Sequence, residues 1–265
     1  GRLVEALGVE GSTSVRLMTQ RMQDEPLLAV NIEDELALTG ETRSRISERL
    51  GLPVRRLLDE IQDTPNLVHS HGVWLPTNHW AANYAASQAL PLLVHPRGML
   101  EPWALGFHPI RKRVALKMFQ QRDLARVALF FATSLQEAQS IRRFGLNQPI
   151  AVIPNGVDPP TTTSSVEQYK TERQMVLMCR LHPIKGVPMF LSAWSKVNPG
   201  GWKLVIAGPD EDGYRKKIEK EIDRLSLRGS VECIGDVSGS AKSRLLAGAD
   251  LFVLPSFSEN FGVVV

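Results

Sequence analysis

At 265 residues, 43% hydrophobic and 22% charged, the chain is long enough for two domains with a core in each, and its composition excludes the disordered and fibrous classes. Its formal net charge of +3 is spread evenly: residues 1–160 hold 17 Lys+Arg against 16 Asp+Glu, and residues 161–265 hold 14 against 12, a balance that excludes an electrostatic case for nucleic acid. No stretch nears the roughly 18 apolar residues of a membrane span and no secretory signal opens the chain, while the two cysteines, Cys179 and Cys233, sit inside apolar runs as small hydrophobes.

These features predict a cytoplasmic protein. The chain starts at Gly1 without a methionine and stops in an apolar run at Val265, so it reads as a piece truncated at both ends.

In chain order, "VRLMT" (15–19) is of strand length, residues 22–40 show no assignable pattern, and "TRSRISERLG" and "PVRRLLDEIQ" have helical spacing. "NLVHSH" (66–71), "PLLVHPRG" (91–98), "ALFFATS" (128–134) and "IAVIPNG" (150–156) follow as strands with helical stretches between most of them. Past an Asn-Gly turn, two prolines and a Ser/Thr run, the rhythm returns in its clearest form. "MVLMC" (175–179), "KLVIAG" (203–208), "VECIG" (231–235) and "LFVLPS" (251–256) alternate with helical patterns that begin near Lys185, Tyr214 and Ser240.

Strand and helix alternating in this way predict βαβ units, hence an α/β fold of two Rossmann-like, doubly wound parallel-sheet domains. The expected division is residues 1–160, a linker at 161–174 and a second domain at 175–265. In such sheets ligands sit at the carboxyl ends of the strands. That rule places Arg180, Gly208, Gly235 and residues 256–262 on one edge.

Three loops on that edge carry candidate chemistry. In "RLHPIKG" (180–186) an arginine leaves a strand end and a lysine precedes a helix, so two cations and a helix N-terminus suit a diphosphate. The alternative is a solvated loop with two surface charges. "IAGPDEDG" (206–213) is a strand running into a glycine turn whose acids cap or solvate the next helix, and it receives no catalytic role. "PSFSENFG" (255–262) sets a carboxylate, Glu259, before a glycine that lets a ligand approach the backbone. It also fits a helix N-terminus capped by Ser258.

"VIPNGVD", the R-x4-KG loop, Gly-Asp-Val after a strand and "PSFSENFG", in this order, resemble glycosyltransferase family 4, the retaining group 1 enzymes of GT-B fold that use nucleotide sugars. "VHSHGVW" and "HPRGMLEPWAL" resemble the bacterial members that build polysaccharide and lipopolysaccharide.

The resemblance implies two domains facing a cleft and transfer of a hexosyl unit from a nucleotide-diphosphate sugar to a glycan or lipid-linked acceptor, without a metal or other cofactor. It gives Arg180 and Lys185 the diphosphate, and makes Glu259 the first glutamate of a Glu-x7-Glu motif that contacts the transferred sugar. Asn260, Phe261 and Gly262 would present backbone donors to sugar and phosphates, with Gly208 beside them. Gly235, Asp236 and Val237 would lie near the base. On the acceptor side it implies His71, Gly72, Arg97 and Gly98. His71 stays open between a structural role and a sugar contact, and Arg97 between an anionic acceptor and a local pair. His69 is excluded as pointing to the opposite face of its strand.

The second glutamate would fall beyond Val265 and the family's glycine-rich loop before Gly1, which makes residues 1–14 the helix after that loop. A piece lacking both is expected to transfer no sugar. The same architecture also serves GT-B isomerases, phosphorylases and non-catalytic nucleotide-binding modules. Residues 108–126 carry six Lys+Arg against one acid among apolar residues. They read either as a helix solvated over the sheet, the favoured alternative, or as a peripheral contact with the inner membrane face.

Overall fold

The computed structural model describes residues 44–62, 65–156, 172–259 and 262 in full, and the backbone of 17–22 and 37–42. The chain divides into two compact units, Gly1–Pro154 and Asn155–Val265. Residues 1–16, most of the expected linker (161–171), and Asn260 and Phe261 lie outside the described residues.

In the first unit, β1 (Leu17–Met22) pairs in parallel with β2 (Ala37–Thr42), a strand that the patternless stretch before it concealed. A four-stranded parallel sheet follows, β3 (Val68–His71), β4 (Leu92–His95), β5 (Leu129–Ala132) and β6 (Ile150–Val152), in sequential order. The helices are α1 (Arg45–Arg49), α2 (Leu52–Asp59), α3 (Pro76–Ser87), α4 (Pro102–Gly106), α5 (Pro109–Ala115), α6 (Gln121–Ala125) and α7 (Leu135–Arg143). Between α5 and α6 the helix widens into a π turn, Leu116–Gln120. Helix starts follow local chemistry: proline stands in the first turn of α2 to α5, and the Ser134 hydroxyl accepts from Glu137 N to cap α7. The core gathers Phe130, Leu124, Ile141, Val94 and Leu100, all buried.

The second unit has β7 (Arg173–Met178), β8 (Trp202–Ala207), β9 (Val231–Gly235) and β10 (Leu251–Phe252), parallel and in the order β10-β7-β8-β9. Its helices are α8 (Val187–Val197), α9 (Arg215–Arg224) and α10 (Gly239–Ala247). Met175–Met178 of β7 and Leu204–Ala207 of β8 are unbroken apolar runs because both faces of these central strands are covered. Leu177, Leu204 and Ile206 pack with Leu191, Trp194, Ile218 and Ile222 from α8 and α9. Their neighbours Val176, Met178, Val205 and Ala207 pack on the other side against Leu245 and Leu246 of α10. The chain steps from β7 outward to β8 and β9, then returns to the other side of β7 for β10. That reversal opens the crevice where ligands settle in open α/β sheets, at the carboxyl ends of β7 and β10.

Candidate functional site

Two loops converge on that crevice. After β7, Leu181 extends the pairing by a bridge to Asp210, and residues Pro183–Lys185 form a short 3-10 turn whose cap is the His182 ring, Nδ1 accepting from Ile184 N at 3.2 Å. The turn ends on Gly186 at φ +65°, where a Cβ would lie 2.2 Å from the Pro255 carbonyl oxygen. Only glycine lets the start of α8 lie against the segment leaving β10. That segment is tied down by Phe257 N donating to the Ile184 carbonyl at 2.8 Å.

The two loops meet through charge. Lys185 Nζ donates to Glu259 Oε2 at 2.6 Å, and the Ser256 hydroxyl donates to the same oxygen at 3.1 Å. Lys185 is well shielded and Glu259 a third exposed (side-chain exposure 13% and 34%), so the carboxylate keeps an open side. A helix capped by Ser258 would run through residues 260–265, of which only 262 lies within the described residues; among the described residues it is Ser256 that holds the glutamate.

Arg180 has a different carboxylate. Its guanidinium donates to Glu211 Oε2 at 2.6 Å, in an exposed pair. Glu211, read from sequence only as one of the acids that cap or solvate the next helix, thereby orients one of the two cations, while its neighbour Asp210 accepts from Arg215 N at the start of α9. Gly208 has φ +139°, and a Cβ there would lie 1.8 Å from the Cys179 carbonyl oxygen; its N–H donates to the Gly235 carbonyl at 2.7 Å. Of the residues after β9, Val237 turns onto the core beside Leu245. Cys179 is buried and free, and burial pushes its thiol up to about 11, so it plays no nucleophilic part.

In the first unit a second constellation ends β3 and β4. His71 and His95 stand opposite one another in the strand register. Arg97 donates through Nη2 to His71 Nδ1 at 3.2 Å. Gly98 N donates to the buried Glu137 carboxylate at 2.7 Å, and Glu137 also accepts from Thr133 N and Oγ1. Gly72 N donates to the His95 carbonyl, and Asn78 Nδ2 donates to the His71 carbonyl.

The exclusion of His69 is overturned. Its ring centroid lies 4.5 Å from that of His71, because residues two apart on a strand share a face. His69, His71 and His95 offer ligand atoms within 4.8 Å of one another. Burial, with the Arg97 charge adding to it, lowers all three, His71 and His95 to about 4. The rings are therefore neutral at pH 7. The trio has the ligand type for a transition metal, but a guanidinium bonded to one imidazole opposes a second cation, and its donation makes His71 Nδ1 an acceptor and leaves Nε2 to carry the hydrogen. That arrangement suits a neutral hydroxyl better. The signals available in sequence were the His-x-His spacing and a third histidine at the end of the next strand.

The model for glycosyltransferase family 4 matches residues 14–160, more than half the chain, and that for glycosyl transferases group 1 matches residues 160–265. The chain belongs to glycosyltransferase family 4. An uncharacterized glycosyltransferase of Methanocaldococcus jannaschii is 32% identical over 101 residues, 38% of this chain and 25% of that protein. The D-inositol 3-phosphate glycosyltransferase of Mycobacterium tuberculosis is 30% identical over 95 residues, 35% of this chain and 20% of its own. The match thus spans a quarter or less of these curated relatives.

Among solved structures, Anabaena HepE in complex with UDP and glucose superposes with a TM-score of 0.68 at 21% identity, covering 86% of this family 4 chain and 63% of HepE. Sucrose-phosphate synthase from Thermosynechococcus elongatus gives 0.76 at 17%, covering 99% and 70%. These neighbours are GT-B glycosyltransferases, and this family 4 chain shares their fold class of α/β units built on parallel sheets.

Proposed function

We propose that the second unit binds a nucleotide-diphosphate sugar at the carboxyl ends of β7 and β10, and that the protein transfers the hexosyl unit, with retention of anomeric configuration, to a hydroxyl of a glycan or lipid-linked acceptor in cell-surface polysaccharide synthesis. The observation that carries this reading is the pair Lys185–Glu259, brought together from 74 residues apart at the switch point of the sheet. A lysine and an arginine on one loop offset the diphosphate and the charge that grows on the departing nucleotide, a role that fixed cations fill without a metal. Glu259, with one oxygen bonded to Lys185 and Ser256, keeps acceptor capacity for sugar hydroxyls. Asn260, Phe261 and Gly262 follow it in sequence as the backbone donors of this reading, and Gly235, Asp236 and Val237 as the base side. The neutral histidines, with Arg97, serve the acceptor or the transferred sugar. Support for a nucleotide sugar also comes from HepE, whose structures hold UDP and UDP-glucose.

Titration calorimetry with UDP-, GDP- and ADP-sugars tests the donor site. One base series is expected to bind in the micromolar range, and Lys185→Ala to weaken it at least about tenfold, roughly 1.4 kcal/mol. Binding to no member of the panel overturns the reading. Product analysis on the full-length protein then separates transfer to an acceptor from an epimer or a sugar phosphate.

A further inference from the structure

Behind the histidine cluster stands a charge that the core itself does not need. Glu137 is 1% exposed, and a carboxylate is costly to bury unless donors and a cation meet it. Its own helix does not require it, because α7 is already capped by the Ser134 hydroxyl, which accepts from Glu137 N at 3.1 Å. In a Ser-x-x-Glu cap the glutamate ordinarily turns back to the N–H of the capping residue. Here one oxygen accepts from Thr133 N at 2.7 Å and Thr133 Oγ1 at 2.9 Å, and the other leaves the helix for Gly98 N at 2.7 Å.

Gly98 belongs to a turn in which Arg97 and Gly98 both take positive φ, 55° and 76°. An arginine seldom adopts that conformation unless its neighbours impose it. Helix α7 holds the turn twice: one helical turn beyond Glu137, the Ser140 hydroxyl donates to the buried Glu101 carboxylate at 3.0 Å. On its other side the turn is tied to the loop after β3, where Trp74 Nε1 donates to the Met99 carbonyl at 3.1 Å and Val73 N to Met99 Sδ at 3.3 Å. These bonds fix the point from which Arg97 departs, and Arg97 in turn bonds His71. The Glu137 charge also favours the charged guanidinium, against the burial that opposes it.

We propose that Glu137 is a positioning residue: its carboxylate sets the Arg97–Gly98 turn and holds the guanidinium on His71 Nδ1, so that His71 presents its Nε2 hydrogen to a substrate hydroxyl. The use of that hydrogen rests on the transferase reading; the coupling of Glu137 to His71 through Arg97 does not. A glutamine in its place keeps the size but loses the charge and one acceptor. The turn then loosens and Arg97 moves into water.

NMR of the whole protein, labelled with 15N at histidine and arginine, tests the coupling with no sugar present. In the wild type the two Arg97 Nη groups are expected to give separate resonances, because a guanidinium held in place rotates slowly. A freely averaging Arg97 overturns the proposal whether or not any variant folds. Glu137→Gln is expected to raise the His71 midpoint from about 4 by at least about 0.5 in pH, since a cation that has left no longer opposes protonation. Arg97→Met, at an exposed position, is expected to do the same. The charges of His69, Arg97 and His95 lower His71, and Glu137 acts on Arg97 and His95, so the double variant separates the two routes. Adding Glu137→Gln to Arg97→Met should leave the His71 midpoint where Arg97→Met put it. An unmoved His71 in Glu137→Gln, or an undiminished effect in the Arg97→Met background, reduces the glutamate to core structure and overturns the proposal. With a nucleotide sugar that binds, Glu137→Gln is expected to slow release of the nucleotide by turnover at least about tenfold, while UDP, GDP or ADP alone bind unchanged. Unchanged turnover beside a shifted His71 overturns the part assigned to the ring. Failure of every nucleotide sugar to bind defeats the transferase reading alone, because the histidine measurement decides the coupling by itself.

Discussion

At the scale of single residues, environment rather than residue type sets the chemistry. His95 is 7% exposed, and burial together with the Arg97 charge holds it at about 4 against an ordinary 6.5. Above pH 6.5 the ring is neutral both folded and unfolded. Below that, the unfolded chain takes up a proton that the folded chain refuses until about pH 4. Stability is therefore complete above pH 6.5 and falls as pH falls through the window to 4. The loss from this one residue is on the order of 3 kcal/mol. His71 shifts in the same direction but is more exposed, so solvent screens its share. Thermal midpoints measured across this window are expected to drop, and His95→Asn to flatten the drop; an unchanged profile in the variant contradicts the assignment. The thiol of Cys179, raised to about 11, is expected to resist iodoacetamide at pH 8 until the protein unfolds, as mass spectrometry of the alkylated peptides will show.

Elements place these residues by backbone constraints that side chains alone do not disclose. Gly186 lets α8 begin against Pro255, and the same approach brings Lys185 to Glu259. Gly186→Ala faces both a left-handed φ and a clash with a carbonyl oxygen that cannot swing away. A cost of about 2 to 4 kcal/mol is expected, together with weaker nucleotide-sugar binding. Gly208→Ala is expected to cost at least as much, because its Cβ would press on the carbonyl of Cys179, the residue that follows β7. Denaturant midpoints measure both, and a loss below about 0.5 kcal/mol in either contradicts the packing argument. The strands and helices of the second unit were legible because their apolar runs and helical spacing match the elements formed. β2 was not, since "ALTGET" is short, holds a glycine and is half polar. The orientation of residues 108–126 was equally hidden: composition counts cations but does not tell which side of a helix the rest of the fold covers.

For the molecule, each unit carries its own core on its own sheet. Leu204, fully buried between β7, β9 and the α8–α9 layer, has no exposed surface to relax into. Leu204→Ala is expected to cost about 2 to 5 kcal/mol. Hydrogen exchange should show the loss of protection concentrated in β7 to β9. Loss confined to the first unit's strands would contradict the division of cores.

The linear sequence by itself determined the alternation of strand and helix, the parallel sheets that follow from it, and the family, because apolar periodicity and short loop motifs are local properties. It also pointed to Lys185, Glu259, His71 and Arg97 as separate candidates. Only the tertiary structure decided their partners: Glu259 for Lys185 across 74 residues, Glu211 for Arg180, and His69 with His95 beside His71. It alone turned Ile110, Val114 and Met118 outward. Pairing and exposure depend on which distant segments the sheet brings side by side, and strand order is a property of the whole fold rather than of any stretch of chain.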